Sequence, residues 1–543
     1  MKKRILSLGL IAGMLVGCLS PALVQVSGQD VTKTAVGEYT AENPYQLIFA
    51  FLEFYPQDPD ASQAVEDALN EFMIPEYHIQ VDFLPLEIAQ YQQTIQLMIS
   101  GGDKLDIVPV LYTQAAKLIG MNGLVDLYPY MDTEEGQKIK DALGEEIALA
   151  GNQNGILYGF PANKEFVNAP GLCMRKDVCD ELGITEKYGL DEYSDEYDGT
   201  VYRWEDAEEI FAQVAEAYPD MVPLYIQGMS GESNIFISYD SLMDTFGVLN
   251  WQADHASTEV VNLYETEEYK KMAAMLADWY DKGYIYKDAA TDTQGSTTIF
   301  KSGNTFSYVT TMKPGFNVQN RMSTGIDSYT MYFAEQPESL ISTAHVNFGN
   351  TGIATNSEDP EMAFKFISAL YSDPIVMNTW QYGIEGVNYQ VLEDGTAGYV
   401  DGESGANFKY HQGTAWSAGN QFIAYVWNDG TVSADYWDEI TEYNKWGYYS
   451  PAFGYTWDST DYQPQITALQ SALETYRSAL ETGAIGGADK VDDTLKKLND
   501  LLYASGLQEV MDAKQEQLNT WIETNGGIVT TPEENLEKIA TAK

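Results

Sequence analysis

Three cysteines and four histidines in 543 residues leave little material for metal chemistry. His78, His255, His345 and His411 stand far apart, and none is spaced with a cysteine as a zinc site requires, so each reads as a surface or packed residue. Cys173 and Cys179 are close enough to pair in an exported chain. They fall, however, in Gly171–Ile184, which reads as a strand running into a helix with both thiols facing inward, and this favours buried free thiols. Cationic residues are also scarce: 30 Lys and Arg stand against 81 Asp and Glu, a net charge of −51. Such a field repels nucleic acid and disfavours anionic ligands, which leaves a neutral or cationic ligand. Absent too are a nucleophile elbow, a phosphate-cradling glycine loop and a metalloprotease helix. Paired carboxylates for glycoside hydrolysis carry no information here, because so many acidic residues form pairs by chance. No internal repeat or low-complexity tract occurs, and past the N-terminus no apolar run is long enough to span a bilayer.

The N-terminus is where the chain is distinctive. Lys2, Lys3 and Arg4 precede an apolar run from Ile5 to Val16, too short for a stable span, that ends at Leu15-Val16-Gly17-Cys18. This is the form of a secretory signal, and the last four residues have the form of a bacterial lipobox. Cys18 would receive a diacylglycerol, and two or more acyl chains anchor a protein stably at about 0.8 kcal/mol per buried methylene. The alternative is a freely secreted protein cleaved at Val26-Ser27-Gly28. Removing the signal takes the net charge to −54.

At this length two or more lobes are expected, and 44% hydrophobic residues support a large folded interior. Residues 29–44 are polar and without periodicity, and 19–44 would form a tether. From Tyr45 onward strands alternate with helices: Gln46–Phe54 as strand, a helix capped by Asp58-Pro59, His78–Pro85 as strand, Ile88–Ser100 as helix and Asp106–Leu111 as a buried strand. That alternation predicts a mostly parallel sheet covered on both faces. A second α/β run follows Gly155, with a strand over Phe166–Met174 and helices over Lys176–Leu182, Trp204–Tyr218 and the stripe Tyr269 to Tyr280. Asp359-Pro360 starts a further helix. The last third predicts three helices: one along Ile466, Leu469, Leu473, Tyr476 and Leu480, then Val491–Leu502 and Leu507–Ile522.

The acidic stretch Asp191–Gly199 partly resembles an EF-hand loop, with Glu196, Asp198, Gly199 and Glu205 at the required offsets. Its first position would be Ser194, which lacks the carboxylate calcium wants. A solvated acidic loop is the default. Aromatic residues make up 13% of the chain, and many lie in loops beside Gly, Asn or Asp. Flat rings with polar neighbours suit carbohydrate, whose C–H faces pack on the ring while amides and carboxylates bond its hydroxyls.

Asp106–Tyr112, Gly123–Tyr130, Asn154–Asn163, Leu172–Ile184, Arg203–Ala207, Tyr382–Tyr389, Gly419–Phe422 and the C-terminal helices, in this order, carry a family pattern. Together they resemble an extracellular solute-binding protein of a bacterial ABC carbohydrate importer, specifically the large Gram-positive lipoprotein branch. The resemblance implies an α/β, two-lobe periplasmic-binding-protein-like fold of type II with a hinge and a central cleft, plus a C-terminal helical region. Lobe 1 would take 45–160 and about 320–372, lobe 2 would take 161–319 and about 373–450, and a helical domain would take 451–543. It implies a non-enzymatic, monomeric, lipid-anchored receptor without cofactor or metal, on the outer face of the cytoplasmic membrane. Such a receptor would capture a neutral oligosaccharide by cleft closure and hand it to permease subunits. A peptide or a cationic solute is the alternative ligand, and a secreted carbohydrate-active enzyme the alternative class. By location, the candidate contacts are Tyr55 and Asp58 after the first strand, Tyr112 after the third, and Asn163, Lys164 and Glu165 at the crossover. Trp251 would come from the second lobe, Glu385 and Asn388 from a Gly-rich turn, and Trp416, Asn420 and Trp427 from the segment after it. Structural roles compete with each of these; Glu385 could cap a turn and Lys164 could pair with its neighbours.

Overall fold

The computed structural model describes residues 39–525 apart from 54–56, 89, 154, 192–193, 227–232, 293, 406 and 429–432. Residues 39–525 belong to one compact unit. The signal, Cys18 and the N-terminal part of the tether lie outside the described residues, as does Tyr55.

The chain opens with β1 (Tyr45–Glu53), α1 (Pro59–Tyr77), β2 (Ile79–Glu87), α2 (Tyr91–Gly101), β3 (Ile107–Leu111) and α3 (Tyr112–Gly120), the expected alternation. Asp58 caps α1 as its sequence suggests, accepting from the Asp60 and Ala61 amides with Pro59 in the first turn. The chain returns through the short β4 (Phe160–Pro161) and crosses to β5 (Ala169–Arg175). Next come α4 (Ala207–Ala217), β6 (Val222–Tyr225), α5 (Glu267–Asp281), β7 (Thr305–Met312), α6 (Phe316–Thr324) and β8 (Ser328–Tyr332). It crosses back through β9 (Ser339–Ile341) to β10 (Gly349–Ile353), α7 (Pro360–Ser372) and α8 (Pro374–Tyr382). It reaches the second side again at α9 (Tyr436–Asn444) and β11 (Gly447–Tyr449), and ends in α10 (Gln463–Glu474), α11 (Arg477–Thr482), α12 (Val491–Ala504) and α13 (Leu507–Asn525).

Two sheets result. The first has the order β2-β1-β3-β10-β4, with β1, β2 and β3 parallel and β10 antiparallel to β3. The second has the order β8-β5-β7-β6. Phe49 sits at the centre of the first core, with ring centroids 5.0 Å from Phe366 and 5.3 Å from Trp380. Burying rings of this size contributes on the order of 2–3 kcal/mol each. Beneath the second sheet, Leu172, Phe211, Leu224, Trp279 and Phe306 belong to the other large core.

The expected boundaries near 320 and 373 are not those of the sheets. β8 (Ser328–Tyr332) pairs with β5 in the second sheet, so the return to the first sheet comes at Gly349. Helix α8 stays with the first core, since Trp380 packs on Phe49 and the Tyr77 hydroxyl donates to Asp373 at 2.8 Å. These assignments follow from strand pairing between distant residues, which no local pattern encodes. Crossing strands β9 and β11 pair parallel to each other between the two sheets.

Two further expectations are revised. The stripe from Ile466 to Leu480 is two helices, α10 and α11, broken at Thr475–Tyr476. The acidic stretch is not simply a solvated loop, because Asp195 is only 5% exposed. Its carboxylate accepts from the Asn317 amide at 2.7 Å, in the first turn of α6, where Gly315 at the N-cap has no side chain to offer. The Tyr332 hydroxyl donates to the Asp195 carbonyl, and the Tyr197 ring lies 4.6 Å from that of Tyr332. Burial, partly offset by the Asn317 donor and reinforced by nearby Glu196 and Glu439, raises the Asp195 carboxyl to about 6. Asp198 accepts from Thr200, and Glu205 pairs with Lys271, so the residues of the calcium-loop reading are used locally. Among the described residues no group of three potential metal ligands comes together. Cys173 and Cys179 are buried and free, and burial pushes the Cys173 thiol up to about 12.

Candidate functional site

In α/β sheets of this kind ligands bind outside the carboxyl ends of the strands, where the backbone leaves a crevice. That edge of the first sheet carries Glu53, Glu87 and Leu111 at the ends of β1, β2 and β3, with Glu53 in register with Glu87. Burial and the nearby Glu87 hold the Glu53 carboxyl above its ordinary range, against the Gln57 amide, which donates to it. Strand β10 runs the other way, so its first residue, Gly349, lies opposite Leu111. Just before it, Phe348 is 56% exposed, with its ring 5.8 Å from that of Trp416. A Cβ on Gly349 would lie 3.6 Å from the Trp416 ring and 3.7 Å from Leu111, so the indole sits over the end of β3. The backbone of Tyr112 starts α3 at the same edge.

The crossover from β4 to β5 carries the charged and amide candidates. Glu165 is bound from both sides, by Lys164 at 3.0 Å and by Lys313, just past the end of β7, at 3.2 Å. Although burial opposes ionisation, the two ammonium groups hold its carboxyl well below the usual range. Burial and the positive Lys164 push the His345 imidazole down to about 4, so it is neutral at physiological pH. Asn163 and Asn420 meet at 3.1 Å, and each is also tied to backbone: Asn163 donates to Ala142 and Asn420 to Tyr371. The Asn163 amide donates to Gly419, and the Gln421 amide donates to Asn163. This pair therefore sets the register between the crossover and a distant loop.

Elsewhere a wall of aromatic rings surrounds Trp427. Trp427 lies 4.9 Å from Tyr382, 4.9 Å from Tyr399 and 4.3 Å from His411 between ring centroids. The loop after β1 is stitched to this wall, since Gln57 accepts from the His411 amide at 2.8 Å and the Asp58 amide donates to Lys409 at 3.1 Å. Burial lowers the His411 ring to about 4. Asn388 holds the preceding turn by accepting from the Ile384 amide at 2.9 Å. It stands where a side chain on Gly383, at φ 88°, would fall. Glu385 is exposed at the turn tip.

Of the residues expected from sequence, the structure thus brings together Asn163 with Asn420 and Lys164 with Glu165. Asp58 lies beside the Trp427 wall, and Trp416 at the β3 edge where Tyr112 begins its helix. Asp58, Asn163, Asn388 and Asn420 serve backbone geometry. Trp251 does not join this set: it is 1% exposed, stacked 4.0 Å beneath His255, with Tyr448 of β11 6.5 Å away. Glu53, Lys313 and Phe348 escaped sequence reasoning. Only the exposed aromatic before Gly349 carried a local signal.

Two α/β sheets joined by repeated crossings of the chain define a solute-binding protein fold. Residues 67–397 match the family described as bacterial extracellular solute-binding protein, and the chain belongs to that family. Residues 451–523 match a domain of unknown function. The chain is 23% identical over 472 residues to a carbohydrate ABC transporter substrate-binding protein of Streptococcus pneumoniae serotype 4, covering 86% of this chain and 89% of that one. Its fold is similar to that of the N-glycan transport solute-binding protein (NgtS) of Streptococcus pneumoniae, with a TM-score of 0.72, 20% identity and coverage of 88% and 100% of the two chains. For the same protein in complex with Man5GlcNAc the TM-score is 0.64, at 20% identity and 88% and 99% coverage.

Proposed function

We propose that the protein is the lipid-anchored receptor of an ABC importer, which takes up a neutral oligosaccharide between its lobes and passes it intact to the permease. The observation that carries this reading is the exposed Phe348 ring set against the half-buried Trp416 at the carboxyl edge of the first sheet, the edge on which β1 ends at Glu53. Family membership and the carbohydrate-binding names of its relatives support it. An apolar ring of this size left in water costs free energy unless something covers it, and sugar C–H faces are a suitable cover. A sugar touching both lobes gains its last contacts only on closure, so binding shifts the open–closed equilibrium toward the form a permease reads. The protein acts as a monomer without cofactor and leaves the sugar unchanged. Cys18 carries the lipid and holds the receptor at the outer face of the cytoplasmic membrane.

Titration calorimetry of the chain from Gln29 onward against neutral oligosaccharides, short peptides and polyamines tests this reading. One-to-one binding of a sugar recovered intact is expected. Binding confined to peptides or polyamines would overturn the ligand, and recovery of cleaved sugar would overturn the non-enzymatic role.

A further inference from the structure

We propose that residues 451–523 are the closing half of the second lobe, not an appended module, and that Lys514 is the lock between the halves. Helix α5 buries Tyr269, Met272, Ala273, Leu276, Ala277 and Trp279, more than one face can cover. Phe211 of α4 meets Trp279 edge-on at 5.2 Å, and α11 and α12 take another side. Contact with α11 is so close that a Cβ on Gly483 would lie 2.1 Å from the Leu276 carbonyl oxygen.

Buried polar groups bind across the same seam. Asn262 donates to Asn499 at 2.8 Å, Asn499 donates to the Tyr264 carbonyl at 3.0 Å, and the Tyr269 hydroxyl reaches Glu481 at 3.3 Å. Gln515 of α13 accepts from the Val260 amide and donates to Thr258. A module docked on a finished lobe would meet it through exposed, mostly solvated contacts; here polar groups lose water unless both halves are present.

Lys514 is the extreme case. It is 0% exposed, and its ammonium donates to Asp244 at 2.7 Å and to the Gly247 carbonyl at 3.0 Å. The turn it grips holds Leu242 and Met243 at φ 47° and 88°, a left-handed conformation non-glycine residues keep only when their surroundings enforce it. The same turn leads into Val248–Leu249 and then Trp251. A segment classed only as a domain of unknown function is thereby given a role: it completes the lobe and fixes the approach to Trp251.

The test is a full-length chain with a protease site inserted in the exposed stretch Asp458–Asp461, cut after folding. The two fragments should co-elute at the mass of the intact protein and part only in denaturant. Hydrogen exchange over 240–247 should rise at least about tenfold in Lys514→Met. Release of the C-terminal fragment as a folded helical unit without denaturant would overturn the proposal, and unchanged exchange over 240–247 would remove Lys514 from it. Should Lys514→Met fail to fold, the cleavage result on the unsubstituted sequence still decides the main point.

Discussion

Replacing Asp195 by Asn should make the protein more stable, and by an amount that depends on pH. The carboxyl is buried with one backbone donor, so its folded value of about 6 lies above its ordinary 3.8. Between those values the folded state holds a proton that the unfolded state releases. The sign follows: this group costs stability as pH rises from about 4 to about 6, and the full cost is present above that window. At 1.36 kcal/mol per unit of pKa, the cost is on the order of 1–2 kcal/mol at about pH 5 and about twice that at about pH 8. Asn keeps an acceptor for the Asn317 amide and abolishes the ionisation. The variant should therefore gain on the order of 1–2 kcal/mol over the native sequence at about pH 5 and about twice that at about pH 8. Both conditions stay above the isoelectric point of about 4.1, where solubility falls. Urea unfolding followed by tryptophan fluorescence measures both differences. The reasoning is refuted if the two proteins share one pH dependence, or if the Asn variant is the less stable at the higher pH.

Phe348→Ala and Trp416→Ala should each weaken oligosaccharide binding about tenfold, a loss of about 1.4 kcal/mol, with melting temperature little changed for the exposed Phe348 and lowered for the half-buried Trp416; calorimetry and a thermal scan separate the two effects. Glu165→Gln leaves Lys164 and Lys313 facing each other without a counter-charge, and should lower stability by about 2–4 kcal/mol in urea titrations at neutral pH. Gly483→Ala places a methyl against the Leu276 carbonyl at a left-handed position, so soluble yield should collapse or stability fall by at least about 2 kcal/mol. Cys18→Ser should abolish labelling by radioactive palmitate and move the receptor from the membrane fraction to the medium.

Local chemistry made much of the architecture legible. Asp58-Pro59 and Asp359-Pro360 mark helix starts that the structure keeps, because a carboxylate cap and a fixed proline φ act within four residues. The stripe from Tyr269 to Trp279 reads as a buried helix face for the same local reason. The break at Tyr476 was illegible because the apolar spacing runs through it unchanged. Asp195 was misread because an acidic run looks solvated until one knows that Gly315 leaves a distant helix uncapped. At the candidate site the crossover residues Asn163, Lys164 and Glu165 were named from the family resemblance of Asn154–Asn163. Lys313 and Phe348 were not, since what makes them relevant is a partner in another segment, Glu165 for one and Trp416 for the other.

The sheet order has a consequence for how such a chain is made. The first sheet takes β10 from residues 349–353 and sets it between β3 and β4, more than two hundred residues after β3 was synthesised. Until that strand arrives, β4 has no neighbour and β3 presents an open edge. An emerging polypeptide therefore cannot close its first lobe until well past its midpoint, and closing loops of this span slows folding.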